Sequence, residues 1–324
     1  MRLFKILNLI FFTCFVIISC SKDPETIIET VTVAADPITV TVEADPYADS
    51  TLEGKISSDK ALSADKVWLL KGRVIVESGA TLTIPAGTVI KAEPGSGADA
   101  STLIIARGGK IDAKGTAAKP IIMTSKSDNI KADGTYPASG KSLTVDARGL
   151  WGGLLILGKA PSSFKGDVTE LQIEGIPVTE TAGLYGGSDA ADDSGVMQYI
   201  SIRHGGAEIG EGNEINGLTL GGVGNKTVID HIEVVANVDD GIEFFGGTVD
   251  ASYLMVYGQG DDALDIDQAY SGTVDNAMVV LTAASDHGME IDGSEGSLAG
   301  SFTVKNVTIK GASKSGAALG VNGE

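Results

Sequence analysis

The chain has 324 residues, including 43 glycines, with 5% aromatic residues and a formal net charge of −19. A chain this acidic is not expected to bind nucleic acid or an anionic membrane surface through electrostatics. Abundant glycine and scarce aromatic residues do not suit a helical bundle and favour a turn-rich β architecture.

The N-terminus has the features of an export signal. Arg2 and Lys5 flank the start of an apolar stretch at 6–18, which is too short and too abruptly ended for a membrane-spanning helix. It ends in Ile17-Ile18-Ser19-Cys20, which resembles the lipobox where a lipoprotein signal peptidase cuts. We expect residues 1–19 to be removed and Cys20 to be lipidated. An ordinary signal peptide with a chance cysteine is the alternative.

The residues after the cysteine suggest where the protein works. The segment 21–25 is polar and acidic, and resembles the tether that sends Bacteroidetes lipoproteins to the outer face of the outer membrane. Cys14 would leave with the signal, so the mature chain would have no free thiol for a disulfide or a metal site. The sequence predicts an outer-membrane lipoprotein on the extracellular side, attached to the membrane through its lipid anchor.

Residues 20–60 are predicted to form an extended stalk. The sequence TVTVAADP at 30–37 recurs as TVTVEADP at 39–46. Proline, acidic and β-branched residues in this combination favour an extended, poorly packed segment. We expect the stalk to raise the body of the protein, residues 61–324, above the membrane.

The body consists of short apolar strands separated by Gly, Asp and Asn, without helical periodicity. Five similar segments begin at Asn216, Asp240, Asp262, His287 and Ser315, at spacings of 24, 22, 25 and 28 residues. Strands of a sandwich or barrel would not keep such a period. The prediction is therefore all-β: a right-handed parallel β-helix of the pectate-lyase-like type, with coils of about 22–25 residues.

Two stretches interrupt the repeat, and its end is open. We interpret 126–150 and 174–195 as loops that leave the coil. The segment from Ser315 has no sequence after it that would cap a coil, and exposed parallel edges invite association. We expect either a truncated sequence or a partner that covers this end.

Alternation within each strand assigns its two faces. Aliphatic and aromatic positions of the repeat are predicted to point inward and stack on their equivalents: Leu218, Leu220, Ile242, Phe244, Leu264, Ile266, Met289 and Ile291. The intervening positions then form two outward columns, one of Thr219, Glu243, Asp265 and Glu290, the other of Phe245, Asp267 and Asp292.

The outward columns are strongly acidic. Between His231 and Val304 there are fourteen acidic residues and no Lys or Arg. Carboxylates on adjacent coils, about 4.8 Å apart, repel one another, so their pKa values must rise or a cation must bind. Ca²⁺ prefers such oxygen ligands, although a solvated, salt-screened face is the alternative. The candidate ligands are Asp240, Glu243, Asp262, Asp265, Asp267, Glu290 and Asp292.

Several motifs across residues 62–324 resemble a family of Bacteroidetes surface proteins with β-helix bodies. The most specific is the block 239–249, DDGIEFFGGTV. The weaker ones are Gly115-Thr116 with 119–122, then 151–154, 193–196 and 260–265. This resemblance implies a surface location and a β-helix fold, but no activity.

A second, local resemblance is to polygalacturonases, which carry Asn-Thr-Asp, Asp-Asp, Gly-His-Gly and Arg-Ile-Lys on successive coils. The matching segments here are 237–240, 261–262, 286–288 and 308–310. The resemblance implies that Asp240, Asp261 and Asp262 would supply the general acid and base, that His287 would support them, and that Lys310 would bind substrate.

Three features depart from that family. Asp286 replaces the first glycine of Gly-His-Gly, Thr308 replaces the arginine, and the face has no basic residue before Lys305 to attract a polyuronate. A pectate lyase would need an arginine base, and the last arginine is Arg203.

We therefore expect a non-catalytic surface module that offers an acidic, Ca²⁺-binding face to glycan or protein partners. A glycoside hydrolase and a plain envelope scaffold are the alternatives.

Overall fold

The computed structural model describes residues 17–18, 26–33, 36–43, 45–209 and 214–312. Cys20 and most of the expected signal lie outside these residues, as does the segment from Ser315. The chain divides into two units, Met1–Asp49 and Ser50–Glu324. Within the described residues, no helix has the length and apolar character needed to cross a membrane.

The first unit contains a small antiparallel sheet of β1 (Ile17–Ile18), β2 (Thr26–Val33) and β3 (Asp36–Glu43). Strands β2 and β3 pair along their whole length, from Thr26 opposite Glu43 to Val33 opposite Asp36. The two copies of the TVTV repeat therefore lie on neighbouring strands of a hairpin.

The second unit is built on one sheet of 18 strands, whose pairings are parallel. In chain order its strands are β4 (Thr51–Ile56), β5 (Lys60–Ala61), β6 (Val67–Val76), β7 (Thr81–Pro85), β8 (Val89–Ala92), β9 (Thr102–Ile105), β10 (Lys110–Lys114), β11 (Ile121–Ser125), β12 (Leu154–Leu157), β15 (Gly195–Arg203), β16 (Leu218–Gly221), β17 (Val228–Val235), β18 (Ile242–Phe245), β19 (Ala251–Tyr257), β20 (Leu264–Asp267), β21 (Thr273–Val280), β22 (Glu290–Ile291) and β23 (Thr303–Lys310). The remaining elements are an antiparallel pair, β13 (Leu171–Gln172) and β14 (Leu184–Tyr185), and two short 3-10 helices, Gly97–Asp99 and Thr181–Gly183.

From β15 onward the strands alternate between two stacks. One stack is β15, β17, β19, β21 and β23, and the other, which continues from β12, is β16, β18, β20 and β22. Each strand pairs with the equivalent strand of the next coil, one repeat later. The parallel β-helix that the repeat predicted is confirmed.

The register confirms the predicted stacking of inward residues. Leu218 pairs with Ile242 and Ile242 with Leu264, while Phe244 pairs with Ile266. All of these side chains are buried in a continuous apolar core that extends through the coils. Burial of this apolar surface, at roughly 25 cal/mol per Å², is the main stabilising contribution.

The coil begins earlier in the chain than the stalk interpretation of 20–60 assumed. Strand β4 starts at Thr51 and pairs in parallel with β6, and the side chains of Leu52 and Ile56 are buried in the core. These residues form the first layer of the β-helix.

The interruptions of the repeat do not simply leave the coil. Residues 161–187, called the cover below, fold back onto the outer face of the stack that contains β16 and β18. Phe164, Ile173, Ile176 and Tyr185 of the cover pack with Phe245 in a second apolar cluster. The interruption at 126–150 also folds back, since Ile130 packs against Val89 and Ile122.

The cover folds back because the outward column is apolar on the early coils of the β-helix and becomes acidic on the later ones. Ile75, Ile104 and Leu155 pair on adjacent coils, and all three are buried in the second cluster. The same column continues through Thr219 and becomes acidic at Glu243. An apolar outer face is unfavourable in water, so the cover packs on it and reaches Phe245 on the strand that carries Glu243.

Candidate functional site

The repeat places three carboxylates in one column. Glu243 on β18 pairs with Asp265 on β20, which pairs with Glu290 on β22. The predicted outward column of carboxylates, called the ladder below, is therefore present, but its exposure differs from that of an open face. Glu243 is 6% exposed and Asp265 9%, whereas Glu290 is partly exposed and Asp292 is exposed. The ladder is buried at Glu243 and Asp265 and opens towards the C-terminal coils.

Asp240, Glu243 and Asp265 form what we call the inner cluster. Each contributes a carboxylate oxygen, and these oxygens lie within 4.8 Å of one another. All three residues are buried. Among the described residues, no lysine or arginine forms an ion pair with any of them. The inner cluster is thus a concentration of negative charge in a low-dielectric setting, without a basic partner.

Two polar atoms at the inner cluster have no hydrogen-bond partner among the described residues. One is Oδ1 of Asp265, and the other is Oδ1 of Asn216, which is 1% exposed. The Asn216 side chain faces the cluster, because its Nδ2 donates to a carboxylate oxygen of Glu243. Buried oxygens without partners carry a desolvation cost of about 1–3 kcal/mol each. They are the kind of atoms that a bound cation would satisfy.

Burial raises the pKa of every member of the inner cluster. The pKa of Asp240 lies well above its usual value because of burial and the charge of Asp239. Burial, with the charges of Asp240 and Asp265, does the same for the pKa of Glu243. The pKa of Asp265 rises to about 7, mainly through burial. Near neutral pH, each of these carboxyl groups therefore binds a proton or another cation more readily than a solvent-exposed carboxyl group does.

The sequence did not point to Glu174, which comes from the cover. Burial and the charge of Asp239 raise the pKa of Glu174 to about 7, while a hydrogen bond from Asn216 opposes that rise. Its charge also contributes to the raised pKa of Glu243. Glu174 was missed because it lies in an interruption of the repeat, where no register assigns it a neighbour.

A second group, the outer cluster, consists of Asp239, Asp240 and Asp261, whose nearest oxygens also lie within 4.8 Å of one another. Asp239 and Asp261 line an open, mainly polar pocket together with Glu214 and Asp286. Burial and the charge of Asp261 raise the pKa of Asp239 to about 6. Burial and the charge of Asp286 raise the pKa of Asp261. Asp240 belongs to both clusters and links them.

The polygalacturonase resemblance implied that His287 supports Asp262, and the two residues are in contact. The contact includes the backbone of His287 as well as its side chain. Oδ1 of Asp262 accepts hydrogen bonds from the backbone N of His287 at 2.6 Å and from its Nδ1 at 2.9 Å. Oδ1 of Asp240 accepts one from the backbone N of Asp262 at 2.9 Å. The carboxylates of Asp240 and Asp262 thus each accept a hydrogen bond from the backbone of the turn in the next coil. Asp262 is only 2% exposed.

The other predicted residues are further from these clusters. Lys310 ends β23 opposite Val280, in the other stack of strands. Asp267 accepts a hydrogen bond from the backbone N of Gln268, and burial raises its pKa to about 6. Of the seven predicted metal ligands, Asp240, Glu243 and Asp265 meet in the inner cluster. Asp262 and Asp267 lie on the coil of Asp265, and Glu290 and Asp292 lie on the next coil; all four are outside both clusters.

The inner cluster has the donor set of a hard-cation site. All of its donors are oxygens, which Ca²⁺ prefers at 2.3–2.6 Å. Two ligands on opposite sides of such an ion lie roughly 4.6–5.2 Å apart. The separations within 4.8 Å therefore fit a calcium ion without large rearrangement. The unpartnered Oδ1 of Asp265 supplies a free ligand atom.

Comparison with known proteins agrees with this architecture. The model of a family described as pectate-lyase like beta helix domain matches residues 54–322, which include the coils and both clusters. No curated protein and no solved structure matches the chain. Since the family model covers most of the sequence, the chain belongs to the family of pectate-lyase-like β-helix domains.

Proposed function

We propose that this protein is a lipid-anchored, surface-exposed β-helix that binds Ca²⁺ at the inner cluster and presents its coils to glycan or protein partners. The observation that carries the proposal is the burial of Asp240, Glu243 and Asp265 together, with no basic residue paired to them in the part of the chain that the structure describes. Buried charges in proteins are normally paired or bound to metal.

A cation accounts for the inner cluster better than protons alone. Three carboxylates this close can be neutralised by shared protons, as in the side-chain hydrogen bond between Glu243 and Asp265, but among the described residues Oδ1 of Asn216 then still has no partner. A divalent cation would neutralise the charge and give that oxygen a partner at the same time. Ca²⁺ is favoured over Mg²⁺ because Mg²⁺ demands near-ideal octahedral geometry and gives up its water reluctantly.

The surface location rests on the lipobox-like segment that ends at Cys20 and on the acidic residues after it. A β-helix suits a display role because each coil adds exposed surface without altering the core. Incorporation of labelled palmitate, lost in Cys20→Ala, would support the anchor. Equal labelling of the variant would contradict it.

Isothermal titration of the mature protein with CaCl₂ tests the cation site. We expect one saturable binding event at pH 7.5, which Glu243→Gln greatly weakens. Glu53→Gln is the matched control, because Glu53 is exposed and pairs with Lys71 on the first coils. If the wild-type protein shows no binding, the calcium proposal is wrong.

Glycoside hydrolysis is the second candidate function, and the outer cluster favours it. An accessible pair of carboxyl groups, one with its pKa raised to about 6, is the chemistry of a general acid beside a base. Against an inverting reaction of the polygalacturonase type, the oxygens of Asp239 and Asp261 lie within 4.8 Å, closer than the roughly 6.5–9.5 Å between carboxyl groups in inverting enzymes.

Reducing-sugar release from a panel of neutral and acidic glycans tests hydrolysis. We expect no release from the display module. Release that Asp261→Asn or Asp262→Asn abolishes, with an unchanged melting temperature, would establish the hydrolase instead.

A further inference from the structure

We propose that a pocket between the loop at 136–145 and the strands β15, β17 and β19 binds the carboxylate of a single acidic sugar at the end or branch of a glycan. This stack of strands is not the one that carries Glu243 and Asp265. The inference rests on the glycan-display role proposed above and names the class of glycan. It does not depend on the calcium site.

The register of three strands builds the floor of the pocket. Arg203 at the end of β15 pairs with Val235 on β17, which pairs with Tyr257 on β19. Ile202 is buried in the core, so alternation along β15 points Arg203 outward. Arg203, Val235 and Tyr257 are all partly exposed. A cationic, an aliphatic and an aromatic side chain thus lie side by side on consecutive coils.

The opposite wall is the loop, which is fixed to the ends of these strands. Nε of Arg148 donates to the carbonyl of Gly258 at 2.7 Å, and Nδ1 of His204 donates to the carbonyl of Ala147 at 2.7 Å. A Cβ at Gly258 would lie 2.4 Å from Cγ2 of Val145, so the loop approaches the end of β19 closely. The pocket has a volume of about 460 Å³, within the usual range for small-molecule sites.

The guanidinium of Arg203 is oriented by the protein itself. Its Nε donates to Oγ of Ser201 at 2.6 Å, and its Nη1 donates to the Tyr136 hydroxyl at 3.2 Å. Its Nη2 donates to Oε2 of Glu233 at 3.3 Å. The Tyr136 hydroxyl in turn donates to Oδ2 of the buried Asp128 at 3.2 Å. Arginine has five N–H groups, so these three hydrogen bonds leave two without a partner among the described residues. A guanidinium held in this way is a receptor for a carboxylate.

The pocket is locally positive in a strongly acidic protein. Glu233 balances the charge of Arg203, but Lys141, which also lines the pocket, forms no ion pair with any described residue. Its Nζ lies 5.1 Å from the centroid of the Tyr136 ring. Burial lowers the pKa of His204, so this ring adds no charge near pH 7.5. The lining therefore has one uncompensated positive charge, whereas the chain has a formal net charge of −19.

These features favour a single carboxylate on a hydroxylated ring. A long polyanion would be repelled by the acidic surface outside the pocket, whereas one bound carboxylate is affected mainly by charges within a Debye length of about 8 Å. Tyr136, Val235 and Tyr257 offer apolar surface to the C–H face of a sugar. The carboxylate of Glu233 accepts hydrogen bonds from its hydroxyl groups. The ligand class is therefore a terminal or branching acidic sugar.

Ligand-detected NMR titration of the mature protein in EDTA at pH 7.5 tests the pocket without calcium. The probes are the methyl glycosides of glucuronic, galacturonic and N-acetylneuraminic acid, each compared with the same sugar reduced to the alcohol. We expect at least one acid to bind about tenfold or more tightly than its reduced form, because the carboxylate hydrogen bonds are charge-assisted. Acetate should bind more weakly than that sugar. No preference for any acid, or equal affinity for acetate, would overturn the proposal.

Lys141→Glu and Lys131→Glu are a matched pair of charge reversals. Both lysines are exposed and lie in the interruption at 126–150, but Lys131 is not part of the pocket lining. We expect Lys141→Glu to weaken binding of the acidic sugar by about tenfold or more, and Lys131→Glu to weaken it by less than about twofold, because salt screens the more distant charge. Equal effects of the two variants would overturn the proposal.

Arg203→Gln should remove the preference for the acid over its reduced form. Since Arg203 also supports Tyr136 and Ser201, the melting temperature of this variant is measured as well. A folded Arg203→Gln protein that keeps the preference would overturn the proposal. If the variant does not fold, the two lysine variants decide the question.

Calcium titration separates this pocket from the inner cluster. We expect Lys141→Glu to bind Ca²⁺ like the wild type. Ca²⁺ binding without any preference for an acidic sugar would overturn the pocket and leave the calcium site standing. Binding of the acidic sugar without Ca²⁺ binding would refute the calcium site and support the pocket.

Discussion

Glu243 and Asp265 lie directly opposite each other on neighbouring coils, as register partners on β18 and β20, with both carboxyl groups buried. Earlier in the same column lie Ile104 and Leu155, which are buried in the second apolar cluster with residues of the cover. The burial of the two acids therefore results from their position at the edge of an apolar patch. On an ordinary acidic surface, water and salt would screen the repulsion within such a pair, whereas a buried pair is screened much less.

Calcium should stabilise the folded protein. At a free Ca²⁺ concentration about 100 times the dissociation constant, binding contributes about 2.7 kcal/mol to the free energy of unfolding. For a body of this size, that corresponds to a rise of roughly 5–10 °C in the melting temperature. Differential scanning calorimetry in CaCl₂ and in EDTA would measure the rise. Equal melting temperatures at saturating Ca²⁺ would count against a native cation site.

Without calcium, stability should fall as the pH rises. Burial raises the pKa of Glu174 and Asp265 to about 7, whereas in an unfolded chain such groups titrate near 4. Between about pH 4 and pH 7 the folded protein holds more protons than the unfolded chain, so the free energy of unfolding decreases across that window. Denaturant unfolding in EDTA at pH 5 and at pH 8 would test this. Greater stability at pH 8 would contradict it.

Removal of one charge from the inner cluster should stabilise the calcium-free protein and abolish its response to calcium. We expect Asp265→Asn to raise the free energy of unfolding in EDTA at pH 8 by about 1–3 kcal/mol, since one unit of pKa shift corresponds to about 1.4 kcal/mol. Asp275→Asn is a control in the other stack, where the carboxylate contacts Asn306 and Lys305. A loss of stability in EDTA together with a normal calcium response would show that Asp265 has a purely structural role.

The prediction that Leu264 points into the core can be tested separately from the cation site. Leu264 is fully buried between Ile242 and the next coil, so Leu264→Ala should lower the free energy of unfolding by about 2–5 kcal/mol. Leu298 is 43% exposed, and Leu298→Ala should cost less than about 0.5 kcal/mol. Urea unfolding of both variants would measure the difference. Similar costs would mean that Leu264 does not belong to the core.

Much of the fold could be predicted from the chain itself. Segments that repeat at similar spacings must stack one above another when they form parallel strands, and alternation then decides which side chains point inward. For this reason the pairing of Glu243 with Asp265, and of Ile242 with Leu264, was predictable from residue positions alone. The presence of an acidic ladder followed from that register.

Burial of the ladder was decided by the tertiary structure. The cover has no repeat, so no periodicity predicts that Ile173, Ile176 and Tyr185 fold back onto Phe245. Glu243, on the same strand as Phe245, is buried, and so is its register partner Asp265. The sequence by itself therefore determined which carboxylates are neighbours, because register is a local periodic property. The fold determined their dielectric environment, because it depends on contacts between segments that share no pattern.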